Sequence, residues 1–310
     1  MKKMINSTHL EGRLYQFDLT SKVTGENSKN PGTEYISGTI EIATDDDCVN
    51  VVPVHFTYVT ATTASGKANA TYTVLKNIID GFYKTVMADG KDNATTMRVD
   101  SAIGLNEFYS NRSGTEELVS AKRNEGGFVH VVANVSDDPK QRNLFTCDMI
   151  ITGVTHKDAD EERNIPEKAI IKGAVFDFRN SLLPVEFSAV STGAIDYFEG
   201  LEASSRNPVF TKVWGKQISE TIVRQITEES AFGEPSVREV RSSRKDFVIT
   251  GAAAEPYAWD DESTITAQEL TECMAARETY LATVKQRQDE YNASKNAPAA
   301  TTPAKGGFDF

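Results

Sequence analysis

The chain has 310 residues and a net charge of −12, with 39% apolar residues and 25% charged residues. This length predicts two domains, or two domains and a tail. The negative charge argues against binding nucleic acid through overall charge, so such binding requires a local basic surface. No apolar run approaches the roughly 20 residues of a membrane-spanning helix, and no apolar stretch follows Lys2 and Lys3 as it would in a signal peptide.

The cysteines are sparse and odd in number: Cys48, Cys147 and Cys273. No two have the spacing of metal ligands, and such a set argues against a disulfide framework. The sequence therefore predicts reduced thiols in a cytoplasmic protein.

Two stretches of the chain align with each other, which predicts an internal repeat. Each contains a strand-like run with a central glycine and then a second run with the pattern Pro-Val-x-Phe. Gly38 and Gly173 are 135 positions apart, and Pro53 and Pro184 are 131 apart because the second copy has a shorter turn. Three further matches keep the same order: Gly12 with Gly153, Gly104 with Gly215, and Phe128 with Phe247.

Each copy predicts five strands with a helix between the third and the fourth. The strands are near 7–18, 34–44, 50–60, 95–103 and 127–135 in copy one, and near 145–156, 168–179, 182–190, 209–214 and 246–252 in copy two. Apolar residues at helical spacing mark the helix, over 74–82 in copy one and 195–201 in copy two. This is the arrangement of an OB-fold, a five-stranded Greek-key barrel, and a central glycine suits the bend of a curled strand.

Two more helices are predicted. Ile218, Ile222 and Ile226, four residues apart, indicate a surface helix over 216–232. A second helix covers 263–292, where Ser263 serves as the N-cap. Its apolar positions fit a heptad repeat that Arg277 and Gln288 interrupt. Two alternatives therefore remain: the helix packs on a barrel, or it forms a coiled coil.

The predicted fold class is thus mainly β, with two tandem OB-fold-like barrels. The domains are residues 1–135 and 136–262, followed by the C-terminal helix 263–292 and a tail over 293–310 whose composition predicts disorder.

The second strand of copy two carries the clearest binding signal. Because strand residues alternate faces, Phe176 and Phe178 lie on the outer face with Lys172, and Arg179 adjoins them. Exposed rings beside cations are typical of single-stranded nucleic-acid interfaces. The alternative is that helix 216–232 or the other barrel covers the two rings.

A basic run precedes the last strand of copy two: Arg238, Arg241, Arg244 and Lys245. In an OB-fold this position is the loop between strands four and five, which grips ligands, and Lys212 and Trp214 extend the same surface. The alternative is a solvated, charged hairpin. Copy one has fewer candidate binding residues, namely Tyr15, Phe17 and Arg98. Tyr15 and Phe17 also fit the edge of an ordinary strand.

Catalytic signals are absent from the sequence. No histidine pair has metal-ligand spacing, and neither a phosphate-binding glycine loop nor a nucleophile elbow occurs. Asp45, Asp46 and Asp47 fall at a hairpin turn, where acids are ordinary. The sequence predicts no enzyme, no cofactor and no metal.

The chain ends in Phe308, Asp309 and Phe310 after a segment rich in Ala, Thr, Pro, Lys and Gly. With the repeat, this tip resembles the single-stranded DNA-binding proteins of the OB-fold class that phages and plasmids encode. The resemblance implies single-stranded DNA as ligand, a role in replication, recombination or repair, and a tip that recruits proteins of those processes. It implies that the protein does not bind a membrane and that, if it is viral, it lies in the host cytoplasm. Whether the chain forms a homo-oligomer stays open.

A second hypothesis belongs to a different class. The acidic balance also suits a structural or protein-interaction module, such as a virion or assembly component that uses OB-like barrels as a scaffold. The alternative for the tip is a tail without a partner.

Overall fold

The structure is a computed structural model. It describes residues 3–112, 114–160, 165–228, 236–259 and 265–296, and only the backbone at 222–228, 236–242 and 294–296. The tip residues Phe308, Asp309 and Phe310 and the predicted cap Ser263 lie outside the described residues.

Within the described ranges, ten strands and four α-helices follow one another. In order they are β1 (Asn6–Val23), β2 (Glu34–Ala43), β3 (Val51–Thr60), α1 (Ala70–Ile79), α2 (Val86–Asp89), β4 (Thr96–Ser110), β5 (Glu117–Val131), a 3₁₀ turn (Pro139–Gln141), β6 (Asn143–Lys157), β7 (Lys168–Phe176), β8 (Leu182–Ala189), α3 (Thr192–Gly200), β9 (Val209–Glu228), β10 (Ser236–Ala252) and α4 (Ala267–Asn296). The mainly β class and the C-terminal helix are confirmed. Among the described helices, none combines the length and apolarity that crossing a membrane requires.

Strand pairing closes each set of five strands on itself. The first set pairs in the order β2–β3–β5–β4–β1, and β1 also pairs with β2. The second set pairs as β7–β8–β10–β9–β6, and β6 also pairs with β7. We call these sets the first barrel (β1–β5) and the second barrel (β6–β10). Both have the strand order of a five-stranded Greek-key barrel, and pairing of β1 with β6 joins them into one ten-stranded sheet.

Alternating strand residues and one helix face fill the first barrel. Ile36, Ile40 and Ile42 of β2 point inward and are fully buried, as the alternation predicts. Leu75 and Ile78, three residues apart on α1, close the core.

The central glycines lie where neighbouring backbones approach closely. A Cβ on Gly38 would stand 1.9 Å from the carbonyl oxygen of Asp18, and φ at Gly38 is +134°, a region that side chains rarely adopt. A Cβ on Gly173 would stand 2.0 Å from the carbonyl oxygen of Ile150. Glycine is therefore required at both positions for the strands to pack.

The hairpins β4–β5 and β9–β10 are longer than predicted. In the second of them, residues 216–228 form strand rather than helix. The prediction of a helix over 216–232 is therefore wrong for its described part. Isoleucines four apart share one face of a helix, but they also share one face of a strand, since four is a multiple of the strand period. The β-branched run Thr221-Ile222-Val223 favours the strand.

Each long hairpin reaches the other barrel. From the second barrel, Gln217 on β9 exchanges two hydrogen bonds with Asn124 on β5, at 2.8 and 3.0 Å. From the first barrel, Lys122 on β5 donates to the carbonyl oxygen of Glu186 on β8, and Ile103 on β4 packs into the second barrel's core. The two barrels therefore pack as one unit.

Helix α4 begins at a reciprocal capping box. Thr266 Oγ1 accepts the N–H of Glu269 at 3.1 Å, and Glu269 Oε2 accepts the N–H of Thr266 at 3.0 Å. Thr266→Ala is expected to lower the free energy of unfolding by about 1 kcal/mol, because the first helical turn loses a side-chain acceptor. Urea denaturation measures this loss. Exposed Thr271→Ala on the same helix is the control, and an equal loss in both variants would contradict the capping role.

Candidate nucleic-acid interface

A cleft of about 810 Å³ lies between the first barrel, the β7–β8 turn and α4. Its walls include Ile103 and Leu105 of β4, Leu182 and Leu183 of β8, and Ala276 of α4. The cleft therefore has a largely apolar floor that three separate parts of the chain enclose.

Two exposed phenylalanines line this cleft. Phe178, in the turn after β7, is 74% exposed, and Phe128 on β5 is 68% exposed. Rings of this exposure contribute little to a hydrophobic core, because most of their surface stays in water. Both rings are therefore available to a ligand that enters the cleft.

Local backbone geometry positions each of these two residues. Asp177 Oδ1 accepts the N–H groups of Arg179 and Ser181, both at 2.7 Å, and this turn presents Phe178. Before Phe128, Gly126 and Gly127 have φ of +67° and +109°.

The β4–β5 register shifts beside these glycines, between Asp100 and Ala102. A Cβ on Gly127 would stand 2.1 Å from the carbonyl oxygen of Asp100, so the bulge that carries Phe128 requires glycine.

Two arginines accompany aromatic rings in the cleft. The guanidinium carbon of Arg179 lies 5.0 Å from the ring centroid of Phe178, within the range of a cation–π contact. The guanidinium carbon of Arg277 lies 5.4 Å from the ring centroid of Tyr280, another exposed lining residue on α4. Among the described residues, no carboxylate pairs with Arg179, so its charge is available to an anionic ligand.

Four carboxylates also line the cleft, and each has a partner. Asp100 Oδ1 lies 2.6 Å from His9 Nδ1, Glu125 pairs with Arg123 at 2.9 Å, and Asp177 accepts the two N–H groups of its turn. Glu107 forms an ion pair with Arg277. Because these charges are partnered, they repel an anionic ligand less than their number indicates.

The prediction that Phe176 is exposed is wrong, because its side chain is fully buried. It lies on the outer face of β7, but Trp259 and Ile265 belong to the cluster that covers this face. Its ring packs edge-on against Phe210, with centroids 6.4 Å apart. The face was predicted correctly, and the cover comes from the segment before α4 rather than from residues 216–232.

Lys172 lies in a second groove, away from the cleft. Its side chain is exposed and 3.7 Å from Glu186, and Lys122 of the first barrel lines the same groove. Lys122 Nζ lies 5.3 Å from the ring centroids of Phe187 and of Phe247. Burial lowers the pKa of the Lys122 ammonium below its usual value.

Tyr15 and Lys245 both line a third groove, where the β9–β10 hairpin crosses the first barrel. Phe17 is partly exposed on β1, and Arg98 pairs with Asp100 at 3.1 Å. The structure therefore spreads the predicted binding residues over several surfaces.

The basic run from Arg238 to Lys245 is not a loop, because it lies within β10 and pairs with β9. Lys245 is exposed, Arg244 is half-buried, and the side chains of Arg238 and Arg241 lie outside the described residues. On β9, Trp214 is partly exposed beside Gly251, and Lys212 is half-buried.

The carboxylates of the β2–β3 turn serve the local structure. Asp45 accepts the N–H groups of Val49 and Asn50, and Asp46 lies 2.8 Å from Arg142. In the described ranges, no group of three or more His, Cys, Asp or Glu side chains has an arrangement that could hold a metal ion.

Sequence reasoning missed Phe128, Arg277 and Tyr280 as lining residues of the cleft. Gly126-Gly127 before Phe128 was a signal for a bulge that turns a side chain outward. No comparable signal marked Tyr280, whose position depends on where α4 docks.

Comparisons with known proteins give one family match. A sequence model described as YorF matches residues 5–287. A search of curated proteins finds no match. Among solved structures, a deletion mutant of the single-stranded DNA-binding protein from Thermus aquaticus is similar, with a TM-score of 0.46 and 9% sequence identity, over 84% of this chain and 100% of that chain.

Proposed function

The chain belongs to the YorF family, and we propose that it binds single-stranded DNA without catalysing a reaction. The observation that carries this proposal is the pair Phe128 and Phe178, two strongly exposed rings in one largely apolar cleft. Arg179, stacked on Phe178, supplies a cation beside them.

Unpaired bases suit this cleft better than duplex DNA does. In a duplex the bases stack on each other, whereas in a single strand each base face is free to stack on a ring. Arg179 is placed to contact a neighbouring phosphate. Few other cations line the cleft, so stacking rather than charge supplies most of the expected affinity.

Titration of a fluorescently labelled oligothymidylate at several salt concentrations tests the proposal. We expect binding to the single strand, weaker binding to a duplex, and a shallow salt dependence, since each phosphate contact adds only about 0.7 to the slope of log K against log salt. Fluorescence anisotropy measures all three. No binding at low salt, or equal affinity for the duplex, would reject the proposal.

The finer parts of the function are proposed from the sequence. Residues 1–135 and 136–262 form a tandem repeat, which the identical strand order of the two barrels supports. The protein acts in replication, recombination or repair in a phage or mobile element. The tip Phe308, Asp309 and Phe310 recruits partner proteins to the bound strand.

The second candidate is a structural or protein-interaction module. The net charge of −12 and the four carboxylates at the cleft favour it, since they suit a basic protein segment. The same titration discriminates the two, because such a module binds neither single-stranded nor duplex DNA at low salt.

A further inference from the structure

Polar contacts tie α4 to the first barrel, and Leu281 and Val284 are half-buried on the same helix. Arg277 Nη1 donates to Glu107 Oε2 at 2.7 Å, and Gln288 Oε1 accepts the N–H of Tyr109 at 2.8 Å. Lys285 Nζ lies 2.5 Å from Glu116. Arg277 and Gln288, which interrupt the heptad in the sequence, are thus two of the anchors.

The apolar residues of α4 are, by contrast, often exposed. Met274, Tyr280 and Tyr291 each keep about half of their surface in water. Specific polar pairs therefore contribute to the position of the helix, and so to which of its side chains face the cleft.

The Arg277–Glu107 pair brings Tyr280 into the cleft. The Glu107 side chain is only 1% exposed, so the carboxylate is a fixed anchor. Tyr280 lines the same cleft as Phe128 and Phe178, is 45% exposed, and carries the Arg277 guanidinium against its ring. The cleft therefore contains a second arginine–aromatic pair, on a different element from Arg179 and Phe178.

We propose that Tyr280 is a third base-stacking residue of this interface, and that Glu107 and Arg277 are positioning residues that hold its ring in place. The inference rests on the proposed function and extends the binding surface from the barrels to the C-terminal helix. Each of the three exposed rings then comes from a separate part of the chain: β5, the β7–β8 turn and α4.

Arg277 and Arg179 differ in what they offer the ligand. The guanidinium of Arg277 is paired with the Glu107 carboxylate, whereas that of Arg179 is available to a phosphate. Loss of Tyr280 is therefore expected to lower affinity without changing the salt dependence. Loss of Arg179 is expected to reduce that dependence by about 0.7 in slope, the value of one phosphate contact.

Tyr280→Ala in the full chain is expected to raise the Kd for oligothymidylate at least about fivefold, and Tyr280→Phe to keep wild-type affinity, because stacking uses the ring and not the hydroxyl. Tyr291→Ala, a similarly exposed tyrosine on the same helix, is the matched control and is expected to bind as wild type. Unchanged affinity in Tyr280→Ala, or an equal loss in Tyr291→Ala, overturns the proposal.

Glu107→Gln tests the positioning role. It is expected to reproduce the affinity loss of Tyr280→Ala, and the double variant is expected to lose no more than either single one, because both changes remove the same ring from the cleft. Additive losses overturn the positioning role. If Phe178→Ala weakens binding and Tyr280→Ala does not, the inference fails while the proposed function stands. If the wild type does not bind, the proposed function itself fails.

Discussion

Replacing Phe128 and Phe178 together with alanine is expected to weaken binding of single-stranded DNA by about 2–6 kcal/mol. Base–aromatic stacking contributes roughly 1–3 kcal/mol for each ring removed, and the lower bound of the sum is about 30-fold in Kd. Both rings are strongly exposed, so their loss is expected to leave the free energy of unfolding nearly unchanged. Anisotropy titration measures the affinity, and urea denaturation checks the stability.

Phe82→Ala is the matched control for this pair. Phe82 follows α1, is 73% exposed, and does not line the cleft. It is the same residue type at the same exposure, so its variant is expected to bind as wild type. A double variant that binds as well as the wild type, or a Phe82→Ala variant that loses equal affinity, would place the interface elsewhere.

Much of the strand pattern was readable from the sequence. The alternation in Ile36, Ile40 and Ile42 and the central glycines Gly38 and Gly173 predicted strands that curl around a core, and these residues do so. Such features are local, because period-two burial and the absence of a Cβ act within a strand and its immediate neighbour.

The length of the two long hairpins could not be predicted from such local features. A spacing of four residues in Ile218, Ile222 and Ile226 fits a helix and a strand equally, and pairing with β10 forms the strand. The basic run from Arg238 to Lys245 fits a loop from its sequence, since the extent of a hairpin depends on the surface it crosses.

The candidate site depended still more on distant contacts. Phe176, the last residue of β7, and Phe178, in the turn after it, are two residues apart, yet one is buried and the other is exposed. The difference arises because Ile265 and neighbouring residues, far along the chain, cover only the first of them. Alternation predicts the face on which a residue lies, and tertiary packing decides whether that face is covered.

A buried pair of amides connects the two barrels. Gln217 on β9 and Asn124 on β5 are 3% and 2% exposed and exchange two hydrogen bonds. Within the second barrel, the Gln217 backbone also bonds with the Asn143 side chain of β6, at 2.7 and 3.0 Å. In addition, Asn50 Nδ2 donates to the Gln217 carbonyl oxygen at 3.1 Å. The β9–β10 hairpin is thereby held on the first barrel.

Gln217→Ala is expected to lower the free energy of unfolding by about 2–4 kcal/mol. The change leaves Asn124 Oδ1 buried without its donor, which costs about 1–3 kcal/mol, and the lost side-chain volume adds to this. Urea denaturation measures the loss. Exposed Gln286→Ala on α4 is the control and is expected to stay within about 0.5 kcal/mol of wild type.

Asn124→Ala completes a double-mutant cycle. If the two amides act as a unit, the double variant is expected to lose less stability than the two single losses added together, because once one partner is gone the other has no bond left to lose across the junction. Strict additivity, or a Gln217→Ala loss no larger than that of Gln286→Ala, would contradict the role of the pair. With the pair intact, both barrels are expected to unfold in one transition, since the β9–β10 hairpin belongs to one barrel and packs on the other.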